Sequence, residues 1–261
     1  MALHLCGWSV KQIDHIFITH FHGDHVVVLP GLLMTMGNNS RTEPVHIWGN
    51  PGLKQILDGL LVVCPQLPFE VICHDVTETG YRFMAGELEV QAVPVEHRVP
   101  CLAYSLSLSR AGKFDAARAK EKGVPLKYWT PLQRGEIITD GDITWYPEDV
   151  LGAPRRGLKL TYATDCRPSE KIVELAKDSD LFVAEGLYGD PEKQPGAAEK
   201  GHMVYAEAAA MARDAGVKEL WLTHYSPAML NPPEYLHVAK EIFENTHCGD
   251  NLMTASLKFE E

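Results

Sequence analysis

Apolar residues recur along this chain in two rhythms, short continuous runs and longer stretches with helical spacing. Ile13 to Thr19 is a short apolar run with three isoleucines and predicts a buried strand. Phe69 to Val76, Glu87 to Val95 and Leu102 to Leu108 predict further strands, the middle one through its Leu88, Val90, Ala92 alternation. Leu158 to Thr164, Asp180 to Glu185 and Lys218 to Thr223 read the same way. Leu53, Ile56, Leu57, Leu60 and Leu61 fall on one helical face behind Pro51, a residue favoured at helix starts. Helices are also predicted after Pro168 to about Lys177, from Tyr205 to Ala215 with Gly216 as the stop, and from Glu234 to Glu244. Such interleaving predicts sheets with helices packed outside. The stretch 109–157 breaks the rhythm, with one helical piece, Phe114 to Lys122, followed by turn-rich sequence. An irregular insertion of that length inside a domain is usually functional or disordered. It reads as an appendage on a single domain spanning 1–261.

Composition narrows the classes. With 261 residues, 45% hydrophobic and 23% charged, the chain is no collagen, coiled-coil rod or disordered tail. No apolar run approaches the roughly 20 residues of a membrane-spanning helix, and the first residues lack a basic region ahead of an apolar one. No membrane association is expected. Six cysteines lie far apart without a C-x-x-C pair, which reads as reduced thiols in a cytoplasmic protein. The net charge of −11 argues against nonspecific coating of nucleic acid, which depends on Lys and Arg. Charge is uneven, however: residues 110–160 hold ten basic against seven acidic residues, the remainder fourteen against twenty-eight. A local basic patch can still meet a phosphate backbone.

The densest chemistry follows the first strand, in Thr19-His20-Phe21-His22-Gly23-Asp24-His25. In an extended segment His20 and His22 point to one side. Gly23 permits a turn that lets Asp24 and His25 face a second ion. Imidazole with carboxylate suits Zn2+, with Mn2+ or Fe2+ as competitors. His4, His15, His46, His74, His237 and His247 read as isolated surface or core histidines. Two ions need more ligands than one loop supplies. His97, Asp165 and His224 each stand just past a predicted strand, where loops gather and sites are built.

These segments resemble the metallo-β-lactamase superfamily and, within it, the ribonuclease Z family of tRNA 3′-processing endonucleases. The likeness rests on Phe17-Ile-Thr-His-Phe-His-Gly-Asp-His25, Leu29-Pro-Gly-Leu-Leu33, Val95-Glu-His-Arg-Val-Pro100, Ala163-Thr-Asp165, Gly201-His-Met203 and Thr223-His-Tyr-Ser-Pro227. The stretch from Gly112-Lys-Phe114 through Leu132-Gln-Arg-Gly135 to Pro154-Arg-Arg-Gly157 resembles that family's protruding tRNA-binding arm. The resemblance implies an α/β (α+β) fold, an αββα sandwich of two packed mixed sheets with helices outside. It places His20, His22 and His97 on one zinc and Asp24, His25 and His224 on the other, with Asp165 bridging both. Asp24 is the implied proton acceptor. His202 is implied at the scissile phosphate, oriented by Glu185. The sequence departs from the family at Val28, usually Gly, at Cys166, usually Thr or Ser, and at Leu126-Lys127, typically Gly-Pro. The family also has strands ahead of the point where this chain starts, so an N-terminally short form is expected.

The function implied is removal of the 3′ trailer from precursor tRNA through attack by a hydroxide held between two zinc ions, with His202 protonating the leaving 3′ oxygen. The family is commonly dimeric, so a homodimer is expected. Two other readings stay open: a dinuclear phosphodiesterase acting on small or cyclic diesters, and an inactive truncated relative.

Overall fold

Most of the predicted strands sort into two sheets in this computed structural model, which describes residues 5–64, 66–77 and 81–260. Readings that fall on Met1 to His4 lie outside the described residues. The chain runs β1 (His15–Phe17), α1 (Gly23–Val26), α2 (Leu29–Asn38), β2 (Val45–Gly49), α3 (Leu53–Leu61), β3 (Val71–Asp75), β4 (Tyr81–Ala85), β5 (Leu88–Val95) and β6 (Cys101–Arg110). It continues through α4 (Ala116–Glu121), α5 (Trp129–Gln133), β7 (Ile138–Asp140), β8 (Ile143–Trp145), β9 (Arg155–Ala163), α6 (Glu170–Ala176) and β10 (Leu181–Glu185). It closes with α7 (Gln194–Glu199), α8 (Tyr205–Asp214), β11 (Leu220–Thr223), α9 (Leu236–Lys240) and β12 (Thr246–Cys248).

The large sheet has the order β12-β11-β10-β9-β6-β5-β4 and is mixed: β9 to β12 pair in parallel, β4 and β5 antiparallel. The small sheet, β1-β2-β3, corrects the expectation of two mixed sheets, because both of its pairings are parallel. Parallel neighbours need long crossovers, and α1 with α2, then α3, supply them. Those helices cover the outer face of this sheet. Leu33, Met36, Leu53 and Leu57 are buried against Ile18, Val45 and Ile47. The i, i+4 spacing of Leu53 and Leu57 is what turns the apolar stripe of α3 inward. On its other face, Phe17 and Trp48 meet Phe83 of β4 at ring-centroid distances of 6.1 and 3.6 Å. Outside the large sheet, α8 buries Tyr205, Ala208, Ala209, Met211 and Ala212. Its alanines allow a close approach to Phe182, Leu220 and Leu222. The helix expected from Glu234 to Glu244 is shorter than predicted. Pro232 and Pro233 lack the amide donors a helix interior needs, and residues Pro232–Tyr235 form a tighter turn before α9.

The chain divides within β6 and β9 into two units. The first comprises the residues up to Leu106 with Lys159–Leu257; the second comprises Ser107–Leu158 with the C-terminal residues from Lys258. The second unit has its own core of Ala119, Val124, Leu132, Trp145 and Val150, flanked by Phe114, Tyr128 and Trp129. Asp115 caps α4 by accepting from the Ala117 and Arg118 amides, each at 3.0 Å. Among the described residues no helix is long and apolar enough to cross a membrane.

Candidate metal centre

The histidine loop leaves β1 from a heavily pinned base. Ile18 N–H donates to Trp48 O at 2.8 Å, and Tyr104 Oη donates to Ile18 O at 2.8 Å. The Thr19 carbonyl accepts from Asn50 Nδ2 and from Leu102 N–H, both at 2.9 Å. Fixing the chain at residues 18 and 19 fixes where His20 and His22 emerge. Their ring nitrogens converge, with His20 Nε2 3.0 Å from His22 Nδ1.

Asp165 and His224 stand at the ends of β9 and β11 in left-handed backbone, φ 53° and 57°. Such a conformation costs a non-glycine residue roughly 1–3 kcal/mol and clusters at functional sites. The turn directs both side chains to one point. Asp165 is 3% exposed. Its Oδ1 lies 3.1 Å from His224 Nε2 and accepts from Thr164 Oγ1 at 2.9 Å. Its Oδ2 lies 3.5, 3.6 and 3.8 Å from the Nε2 atoms of His25, His20 and His97. Ligand atoms of His20, His22, His97 and Asp165 all fall within 4.8 Å of one another, and those of Asp24, His25 and His224 form a second such group. All seven residues singled out as ligands are thus brought together in two sets, with Asp165 facing both.

The donor chemistry fits divalent metal. His97 Nδ1 donates to Gly201 O at 3.0 Å, so its Nε2 carries the lone pair, and that atom is buried with no hydrogen-bond partner among the described residues. A backbone carbonyl behind a histidine is how proteins fix the metal-binding tautomer. Burial outweighs the pull of Asp165 on His20 and, with the neighbouring His25, His22 and His97, pushes its pKa down to about 4. His97 and His224 are also lowered, burial again being the first cause. Neutral imidazole is the form that ligates. Burial opposes the charge on Asp165, but His224, His25 and the Thr164 hydrogen bond more than offset it and hold the carboxyl below its ordinary value. A buried carboxylate beside the lowered imidazoles of His20, His97 and His224 calls for cations.

His202 lies beside these groups, its ring 5.0 Å from that of His97 and 5.4 Å from that of His224. Its Nδ1 meets Glu185 Oε2 at 2.9 Å. Glu185 is fully buried at the end of β10, and its other oxygen accepts from the Cys166 amide. Burial alone would lower His202, but the Glu185 hydrogen bond and charge outweigh it and raise its pKa above the histidine norm.

Two residues near His202 were not legible as site residues. Arg167 Nη1 donates to the His202 carbonyl at 2.5 Å and, with Nη2, forms a two-pronged pair with Glu207 at 3.0 and 2.6 Å. Glu207 also accepts from Val204 N–H at 3.0 Å and Gln194 Nε2 at 3.1 Å. The local signal was there for Glu207, an acid at the third position of a helix, where it takes up a free amide. Its partner forty residues away carried none. The histidines read as isolated also differ from expectation. His15, His46 and His74 form a row across the small sheet, with His46 Nδ1 2.8 Å from His74 Nε2.

Comparison with known proteins shows the family. The beta-lactamase superfamily domain matches residues 5–115 and 130–225. The ribonuclease Z of Lachnoclostridium phytofermentans is 43% identical over 261 residues, covering 100% of this chain and 86% of the relative. That of Clostridium acetobutylicum is 46% identical over 97% of this chain and 84% of its own length. Among solved structures, the short form of human tRNase Z superposes with a TM-score of 0.67 at 22% identity, over 98% of this chain and 84% of that one, and supports the fold. A diphosphatase of the PhnP family gives 0.60 at 15% identity, over 95% of this chain and 73% of that one. The chain belongs to the ribonuclease Z family of the metallo-β-lactamase superfamily.

Proposed function

We propose that this protein is a metal-dependent endoribonuclease that removes the 3′ trailer from precursor tRNA with two Zn2+ ions. The observation that carries the reading is the placing of Asp165, buried, with one oxygen toward His224 and the other toward His20, His25 and His97. His20, His22 and His97 would hold one ion and Asp24, His25 and His224 the other, Asp165 reaching both. When bound, such ions lower the pKa of a coordinated water and stabilise charge on phosphate oxygens. Asp24, with its side chain 76% exposed at the mouth of the site, is placed to accept the proton of the attacking water. His202, held at Nδ1 by Glu185, is left with Nε2 to contact the phosphate and protonate the departing 3′ oxygen, a poor leaving group without a proton. Glu185 is a positioning residue.

The basic excess of residues 110–160 supports tRNA as the partner of the second unit. Together, these residues would make 1–261 one metallo-β-lactamase-like domain with an arm at about 109–157. The protein would act as a homodimer in the cytoplasm. The acidic net charge of −11 favours a second reading, a small or cyclic phosphodiester as substrate. Incubation with a 3′-extended pre-tRNA and with bis-p-nitrophenyl phosphate separates them. Trailer removal leaving a 3′-hydroxyl on the tRNA and a 5′-phosphate on the trailer supports the endoribonuclease. Hydrolysis of the small diester alone supports the second reading, and no turnover of either would mean an inactive relative.

A further inference from the structure

Asn50 is buried just past the end of β2, between the two chain segments that bring His20 and His97 to the site. Its amide nitrogen donates to Thr19 O at 2.9 Å and to Pro100 O at 3.0 Å, which uses both hydrogens of the group. Thr19 directly precedes His20, and Pro100 stands between His97 and Cys101. Cys101 Sγ lies 3.7 Å from His20 Nδ1 and donates to Thr164 O at 3.7 Å. Thr19 Oγ1 lies 3.0 Å from the same ring nitrogen. The back of His20 is therefore built from both segments that Asn50 joins. Asn50 is itself held. Its carbonyl accepts from Leu53 N–H at 3.2 Å, closing a turn through Pro51 and Gly52. Gly52 has φ 94° and ψ 2°, the third position of a type II turn, and proline favours the position before it. The end of β2 is fixed on both sides, Ile18 N–H donating to Trp48 O and Val76 N–H to Gly49 O, each at 2.8 Å.

Given the two-zinc reading, on which this rests, we infer that Asn50 is a positioning residue for one half of the metal centre. Its amide sets the spacing of the segments carrying His20, His22 and His97, and so tunes the ion held by those three residues. The ion held by Asp24, His25 and His224 does not depend on it. The bond from Leu102 N–H to Thr19 O, at 2.9 Å, already ties the two segments once. A single bond leaves them free to pivot; the amide, reaching both from β2, sets the angle. Few side chains could replace it. Ionised aspartate has the size but no donor, serine has one donor, and glutamine carries its amide one methylene farther out. Groups that orient metal ligands from behind typically change metal affinity by about 10–100-fold when removed.

The test measures zinc affinity by competition with a chelator in two backgrounds. His224→Ala leaves the first ligand set intact, and His22→Ala leaves the second. Adding Asn50→Ala should weaken zinc binding about 10–100-fold in the His224→Ala protein and less than about threefold in the His22→Ala protein. A residue that merely supported the fold would lower both alike. Equal effects in the two backgrounds, or none in either, overturn the inference and leave the two-zinc reading standing. Gly52→Ala is the milder variant. It keeps the amide but strains the turn behind it, since φ 94° disfavours an L side chain although a Cβ there would meet nothing within 4 Å. It should weaken the first set alone, by a smaller factor, and it decides the matter if Asn50→Ala does not fold. Weakening by Gly52→Ala in both backgrounds or in neither then overturns the inference. A wild type that binds no zinc would overturn the two-zinc reading and the role of Asn50 with it.

Discussion

His20, His22, His25, His97 and His224 gather round a buried carboxylate, whereas His15, His46 and His74 lie in a row across the small sheet. The two groups spring from neighbouring parts of the same fold, yet their nitrogens are used differently. In the row the polar atoms satisfy one another. His46 Nδ1 and His74 Nε2 are 2.8 Å apart, and Trp48 Nε1 donates to His15 Nδ1 at 3.3 Å. The rings stack, His15 on His46 at 5.1 Å and His74 on Trp48 at 3.9 Å. In the site, by contrast, His97 Nε2 and His224 Nδ1 are buried without hydrogen-bond partners among the described residues. Leaving a buried polar atom unpaired costs about 1–3 kcal/mol, an expense that a bound ion removes at His97. Density of histidine therefore does not define a metal centre; ring nitrogens converging on a buried anion, with His97 Nε2 unpaired among them, do.

The comparison can be broken most forcefully at its anion. Asp165→Ala removes the group that faces both ligand sets, and pre-tRNA cleavage should fall by at least ~10³, since ion-borne charge stabilisation is worth several kcal/mol. Activity within tenfold of wild type would mean that the carboxylate does not organise the site. Next in size is His202→Ala, expected to cost roughly 10²–10⁴ in rate, the usual range for a general acid. Metal content should not change, and its loss would place His202 among the ligands instead.

The site was largely legible in the sequence because its signals are local. His20 to His25 sit within six residues, and His97, Asp165 and His224 each follow an apolar strand. The histidine row was not legible, because it depends on the register of parallel strands joined by long crossovers, with His15 opposite His46 and Trp48 opposite His74. Five strands were missed, β7 and β8 because each is only three residues long within the turn-rich stretch 109–157. Val45–Gly49 mixes histidine and tryptophan into its run, Tyr81–Ala85 blurs its alternation with the apolar but exposed Met84, and Thr246–Cys248 is only three residues long. The Arg167–Glu207 pair is invisible locally, since only folding brings α8 against the residue after Asp165-Cys166.

That pair gives a smaller and sharper prediction. Arg167→Leu should lower kcat about tenfold, by loosening the His202 carbonyl, with KM and metal content little changed. Arg167→Lys should restore part of the loss by keeping the charge but not the fork. Equal loss in both variants, with metal lost, would mark the pair as structural only.

The smallest effect concerns the row. Burial, then the charge of His46, lowers the pKa of His15 and of His74, with Asp14 pulling His15 part of the way back. Both bind protons less readily in the folded state than in the unfolded chain, which takes up protons as pH falls through about 6.5. Their contribution is therefore full above that pH and lost below it. Between about pH 7.5 and 5.5, His74→Phe should lose less thermal stability than wild type, by ~2–4 °C. An unchanged acid response would show that the row carries no proton-linked cost.

The most direct test of the contrast between the two histidine groups is the metal content of the protein, measured by elemental analysis after zinc loading and exhaustive dialysis. Two equivalents of zinc per chain are expected for wild type and for His74→Phe alike. Fewer than one equivalent in wild type, or a loss of zinc on replacing His74, would contradict the account.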